Sequence, residues 1–158
     1  MLTDEAVELF ERGSALIVGL VGPDGAPLAT RAWGMRVHPD RTTARVLVTA
    51  RDVAAADIAN HPGGELTVTG ACVATLRSAQ AKGTVVAVLP PDATDAACMQ
   101  GYTDRLVEDV STVDGIPRYL VERLVPDAVL ACEVELREVY DQTPGPRAGA
   151  PLENGTAP

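Results

Sequence analysis

The chain reads as a β-rich α+β domain whose antiparallel strands close into a barrel, and three observations predict this. Strand-like stretches follow one another through the first 89 residues with only one short helix between them. Turn chemistry stands at the joints, as Gly22-Pro23-Asp24-Gly25 and His38-Pro39-Asp40-Arg41. Helical periodicity is confined to the N-terminus, the one short link and the stretch after Pro90-Pro91. With 158 residues, 46% of them hydrophobic and 22% charged, there is material for one core.

In order, Thr3 is placed to cap a short helix with Asp4 and Glu5 in its first turn and Ala6, Leu9 and Phe10 on its apolar face, ending at Gly13. The apolar run Ala15 to Val21 is the first strand and Pro27 to Val37 the second, joined as a hairpin. Arg45 to Thr49 reads as the third, after which Asp52 is placed to cap a helix through Ile58, stopped by Pro62. Leu66-Thr67-Val68-Thr69 alternates cleanly as the fourth strand, and a long fifth runs from Leu76 through Leu89. Met99, Tyr102, Leu106 and Val110 give Asp92 to Val110 a helical face; a second helix begins at Pro117 with Ile116, Leu120 and Leu124 on one side. Both are expected over a barrel opening. The sixth strand, Val129 to Tyr140, turns Cys132, Val134 and Leu136 inward and Glu133, Glu135 and Arg137 toward water; its parity slips at Glu138-Val139, the mark of a bulge. Residues 1–142 thus make the domain. Residues 143–158, seven of them Pro or Gly, make a tail with little to bury, either a disordered end or an extended arm laid across a partner.

Charge narrows the function. The 22 acids outnumber the 13 bases for a net −9, and Lys82 is the single lysine. That balance argues against phosphate-tracking nucleic-acid surfaces and polybasic membrane contacts. Only Phe10, Trp33, Tyr102, Tyr119 and Tyr140 are aromatic, too few for base-stacking platforms. Cys72, Cys98 and Cys132, odd in number and far apart, suit neither a disulfide framework nor a zinc site and read as small hydrophobes. With no leader pattern and no long apolar run, a cytoplasmic protein is expected. No metal motif, P-loop, G-x-G-x-x-G or G-x-S-x-G is present, and no residue is singled out as catalytic.

What remains is cationic. Arg31 and Arg36 flank Trp33-Gly34 on the second strand, Thr49 and Arg51 stand where the third meets a helix, and Gln80 and Lys82 share a face of the fifth with Arg77 nearby. Being five apart, Arg31 and Arg36 share a face only if Gly34 admits a bulge. In an acidic chain such a set suits one small anionic ligand, a phosphate above all.

The order of elements and these stretches, Ala15 to Val21 with its Pro-Asp-Gly turn, Ala29 to Val37, Leu47 to Arg51 and Leu76 to Gly83, resemble the FMN-binding split-barrel superfamily, the pyridoxamine 5'-phosphate oxidase-like proteins, over about residues 1 to 145. The resemblance implies a six-stranded antiparallel split barrel with peripheral helices, a homodimer, and FMN in a cleft between subunits. It implies Arg31, Arg36, Thr49 and Arg51 toward the flavin phosphate and Gln80 and Lys82 toward the ring, with Trp33 beside the ring or in the core. The activity implied is an FMN-dependent oxidoreductase acting on a small molecule. Two departures mark this chain. Asp52 follows Arg51 where relatives place a further base, and the Arg-Leu-x-Pro ending of true pyridoxamine phosphate oxidases is replaced by Tyr140-Asp141-Gln142-Thr143. They motivate an alternative, a split barrel without flavin that binds haem or another metabolite, with His38 and His61 as its only imidazoles.

Overall fold

A computed structural model describes residues 2–22, 24–61 and 63–152. Pro23, Pro62 and the end of the tail, on which parts of the expectations above fall, lie outside the described residues. Six strands, β1 (Ala15–Val21), β2 (Pro27–Val37), β3 (Thr43–Thr49), β4 (Glu65–Ala71), β5 (Ser78–Leu89) and β6 (Val129–Asp141), form a closed antiparallel barrel in the order β1-β2-β3-β6-β5-β4. It is not one continuous meander. β1 to β3 and β4 to β6 are each a meander; the helical link α2 (Ala50–Ala55) carries the chain away from β3, so that β4 closes on β1 and β6 fills the place beside β3.

Alternation places one set of side chains inside. Leu16, Val18, Leu20, Ala32, Val46, Val48, Leu66, Val68, Ala79, Ala81, Val85, Cys132 and Val134 are buried there. Helix α1 (Asp4–Arg12), capped by Thr3 as expected, adds Ala6, Leu9 and Phe10 to this core. Three register shifts interrupt the ladders among the described residues: one on β5, where Val85↔Val134 and Ala87↔Glu133 leave Val86 extra, and one each on β6 and β2. On β6 the pairs Lys82↔Glu138 and Gly83↔Leu136 leave Arg137 extra, one residue from the expected slip. On β2 the pairs Ala32↔Val48 and Met35↔Val46 set two residues, Trp33 and Gly34, against Leu47 alone. The Gly34 φ of +153° belongs to glycine, and its bulge turns Arg31 and Arg36 to the same side.

Four expectations need correction. Thr49, not Asp52, caps α2: its hydroxyl accepts the Asp52 N–H at 3.2 Å, so the helix starts earlier and ends at Ala55. Leu76 is not in β5; its φ of +60° places it in a turn. The helix after Pro117 is only α4 (Arg118–Glu122), and Val121 is its buried residue; Ile116, Leu120 and Leu124 are exposed, Leu124 by 58%. A five-residue helix turns one narrow side inward, so the 3.6-residue reading assigned the wrong stripe. Part of the tail is tied down: the Asp141 N–H donates to Ala150 O at 2.9 Å, Leu152 N–H to Val139 O at 2.8 Å, and Tyr140 bridges Pro151.

The long helix α3 (Ala93–Val113) is capped by a reciprocal pair, Asp92 and Asp95, and packs along the outside of β2. Its Tyr102 hydroxyl accepts the Leu16 N–H at 3.1 Å and a bond from Arg31 at 2.9 Å, with the ring edge-on to Trp33 at 6.0 Å. Among the described residues no helix is long and apolar enough to cross a membrane.

A Cβ at Gly34 would stand 2.9 Å from Cys98 Sγ and 3.1 Å from Leu47 Cδ1. Gly34→Val is expected to destabilise the protein by about 2–4 kcal/mol, combining backbone strain and overpacking, in urea unfolding followed by circular dichroism. Unchanged stability would mean that the bulge is not needed.

Candidate functional site

Strand register decides which candidate residues meet. Cross-strand partners point to the same face, and the pairs Arg31↔Ile17, Ile17↔Thr69, Thr69↔Gln80 and Gln80↔Tyr140 run as one row over the outer surface of β2, β1, β4, β5 and β6. The next row holds Ala29, Gly19, Thr67 and Lys82. Arg31 and Gln80 thus stand at two edges of one surface, three strand spacings or about 14 Å apart, with Ile17 exposed between them. Gln80 donates to Thr69 Oγ1 at 3.1 Å; Lys82 lies 3.3 Å from Glu138 and 4.8 Å from the centre of the Tyr140 ring.

The other candidates are placed differently. Thr49 donates to Asp52 Oδ2 at 2.6 Å, and Thr30, from β2, donates to the same oxygen at 2.6 Å. These bonds from the Thr30 and Thr49 hydroxyls hold the Asp52 carboxyl below the usual carboxylate range. Arg51, with its side chain 95% exposed, comes no nearer to Asp52 than 3.9 Å; both line a cleft with Pro126 and Asp127. Thr30 and Arg31 are neighbours, as are Arg51 and Asp52, so the bond from Thr30 joins the β2 edge of the outer surface to the start of α2. Trp33 is buried against Tyr102.

Arg36 belongs to a cluster that sequence reasoning missed. Arg36↔Arg45 and Arg45↔Glu133 pair directly across β2, β3 and β6, and α3 sets its first turn upon them. Asp95 divides its oxygens: Oδ1 takes Arg36 Nε at 3.1 Å and Nη2 at 2.7 Å, and Oδ2 takes Arg45 Nε at 2.8 Å. Arg45 also reaches Glu133 at 2.7 Å and Pro90 O at 3.1 Å, and His38 Nε2 lies 3.0 Å from Glu133. Glu133 is therefore half-buried and paired, where alternation alone put it toward water. The Asp92-x-x-Asp95 spacing signals the helix start, but nothing in it signals the strand arginines that Asp95 meets.

Asp95 is buried, and burial opposes its ionisation. The bonds from Arg45, the Asp92 N–H and Arg36 outweigh this and hold its pKa down to about 2. A pKa depressed on folding stabilises the native state above the unfolded value, and that contribution is lost as pH falls through the folded value. The pairing is thus expected to contribute about 2 kcal/mol at pH 7 and to lose it between roughly pH 4 and 2. In urea unfolding, Asp95→Asn is expected to cost about 3–5 kcal/mol at pH 7, because Arg45 stays buried, and to lie closer to the wild type at pH 2.5.

No protein-family profile and no curated protein sequence matches the chain. Solved structures do. HupZ of Group A Streptococcus is similar with a TM-score of 0.56 and 15% identity, covering 94% of this chain and 100% of its own. An F420 reductase is similar at 0.54 and 17% identity, covering 87% and 98%. A Lactobacillus delbrueckii protein provisionally described as a pyridoxamine 5'-phosphate oxidase is similar at 0.53 and 16%, covering 88% and 93%. Identities this low speak for the fold alone, and together with the closed six-stranded barrel they establish that the chain has the split-barrel fold of these structures.

Proposed function

We propose that the protein is a flavin-dependent oxidoreductase that holds FMN on the outer surface of β2, β1, β4 and β5 and acts on a small molecule. The observation that carries this reading is the register row joining Arg31 to Gln80, with Lys82 one row away. Three cations of the candidate set suit the group chemically. Arg31 is bonded to a neutral phenol, Arg51 is exposed, and Lys82 is half-exposed beside a surface carboxylate. Arg31 and Arg51 would hold the phosphate, and Gln80 and Lys82 would hydrogen-bond the ring. Arg36 and Thr49 serve this site indirectly, Arg36 by fixing α3 through Asp95 and Thr49 by capping α2. Bound there, FMN would supply hydride or electron transfer, chemistry that requires no acid–base pair from the protein.

The exposed Ile17 on this surface leaves an apolar floor, and a second copy of the chain would supply the opposite wall. Both imidazoles have carboxylate partners, His38 with Glu133 and His61 with Asp57 at 2.9 Å, which favours flavin over a haem needing an axial histidine.

The test is titration of the purified protein with FMN and with riboflavin, followed by flavin fluorescence and the visible flavin band. Gln80→Ala and Lys82→Ala are expected to weaken both ligands. Arg31→Gln and Arg51→Gln are expected to weaken FMN by roughly 10- to 100-fold, the worth of a charge-assisted bond, and to spare riboflavin. Failure to take up either flavin would remove the reading.

A further inference from the structure

We propose that the cleft between the end of α1, the end of β2 and the middle of α3 is a second ligand site, taking a small monocarboxylate with an apolar body and anchored by Arg12 and Arg105. The cleft is about 580 Å³, within the range of small-molecule sites, and Glu11, Arg12, Met35, Arg36, Val37, Cys98 and Arg105 line it. It lies apart from the row of Arg31, Gln80 and Lys82 and does not depend on flavin binding.

Charge points to this cleft. In a chain of net −9, only Arg12, Arg31, Arg105 and Arg123 have no carboxylate within 4.0 Å among the described residues, and two of the four line this cleft. The two guanidinium groups share the cleft with one carboxylate, Glu11, which is not within 4.0 Å of either, and the positive charge left over favours an anion that joins them.

The position of Arg105 is built rather than incidental. Gly101 stands one turn before it in the interior of α3, where glycine is less favourable than alanine. A Cβ there would lie 3.3 Å from Arg105 Nη1, so the glycine lets the guanidinium lie back along the helix. Arg105 Nη2 donates to Glu11 O at 2.8 Å, which orients the fork, while Nε is buried with no acceptor among the described residues.

The remaining walls specify the ligand. Asp95 neutralises Arg36, and Glu11, held by the Val37 N–H at 2.8 Å, offsets one of the two other arginines. One positive charge is left over, which suits a monoanion better than a dianionic phosphate. Planar guanidinium forks match a carboxylate. Val37, part-exposed at the strand end, and the Cys98 thiol, kept protonated by burial, supply the apolar part of the wall.

The probe is benzoate, with benzyl alcohol and inorganic phosphate as comparisons at constant ionic strength, read on the arginine Nε–H signals in ¹⁵N-resolved NMR. Benzoate is expected to shift the Arg105 and Arg12 signals saturably, with benzyl alcohol at least tenfold weaker and phosphate weaker than benzoate. Arg105→Gln and, on the exposed helix end where folding is not at risk, Arg12→Gln are each expected to weaken benzoate roughly tenfold or more. Arg123→Gln, which removes the same charge elsewhere, is expected to leave it unchanged. The proposal is overturned if the shifts do not saturate, if benzyl alcohol or phosphate matches benzoate, or if Arg12→Gln binds as the wild type does. None of these outcomes bears on FMN uptake.

Discussion

The carboxylate of Asp95, shared between Arg36 and Arg45, is the interaction on which the outside of this barrel depends. The barrel interior needs no such device, because alternation alone buries its valines and leucines. The helical layer is different. α3 has a weakly amphipathic sequence, and its registration against β2 is specified by polar contacts at two points seven residues apart, Asp95 to the two arginines and Tyr102 to Arg31 and the Leu16 N–H. Seven residues are about two helical turns, so both contacts lie on one stripe facing the strand. Burying charge is costly in itself, and such a network favours one alignment of the helix over its neighbours more than it adds to stability.

That arrangement has a consequence for ligand binding. A cation engaged by a buried carboxylate is a poor site for a phosphate, whereas one bonded to a neutral hydroxyl remains available. The two arginines of β2 differ in just this way, Arg36 facing Asp95 and Arg31 facing a phenol. At the start of α2 the same logic runs through Asp52, whose carboxylate accepts the hydroxyls of Thr30 and Thr49 and places a negative charge beside Arg51. The chain therefore carries its own anions at two places where the resemblance expects the ligand's phosphate to be met.

Much of the fold was legible because it rests on local rules. The limits of β1 and β2, the Thr3 cap and, to within one residue, the slip in β6 all follow from periodicity, turn residues and short-range hydrogen bonding. The Gly34 bulge was legible as a condition, since two arginines an odd number apart can share a face only there. What was not legible required pairing across distance. Glu133 alternates outward and so reads as wet until β3 is known to lie beside β6, which sets Arg45 against it. Arg12 and Arg105 are 93 residues apart and carry no motif. The exposed Ile116, Leu120 and Leu124 show the converse error, a regular apolar spacing on a helix too short to use it.

Arginine rather than lysine suits the task that unites these features. In twelve of thirteen positions the base is Arg, and the structure uses its fork to join elements that strand pairing cannot: Arg36 and Arg45 join β2 and β3 to α3, and Arg105 joins α3 to α1. An ammonium ion holds its three donors on one atom and lacks the spread with which Arg45 reaches Asp95, Glu133 and the Pro90 carbonyl from three nitrogens. Lys82, the exception, lies on an open strand face over Tyr140, where a flexible point charge can follow a ligand without disturbing the packing. The division between rigid forks at the seams and one mobile cation on the open surface is what allows an acidic chain to hold its helices in place while keeping positive charge available for a ligand.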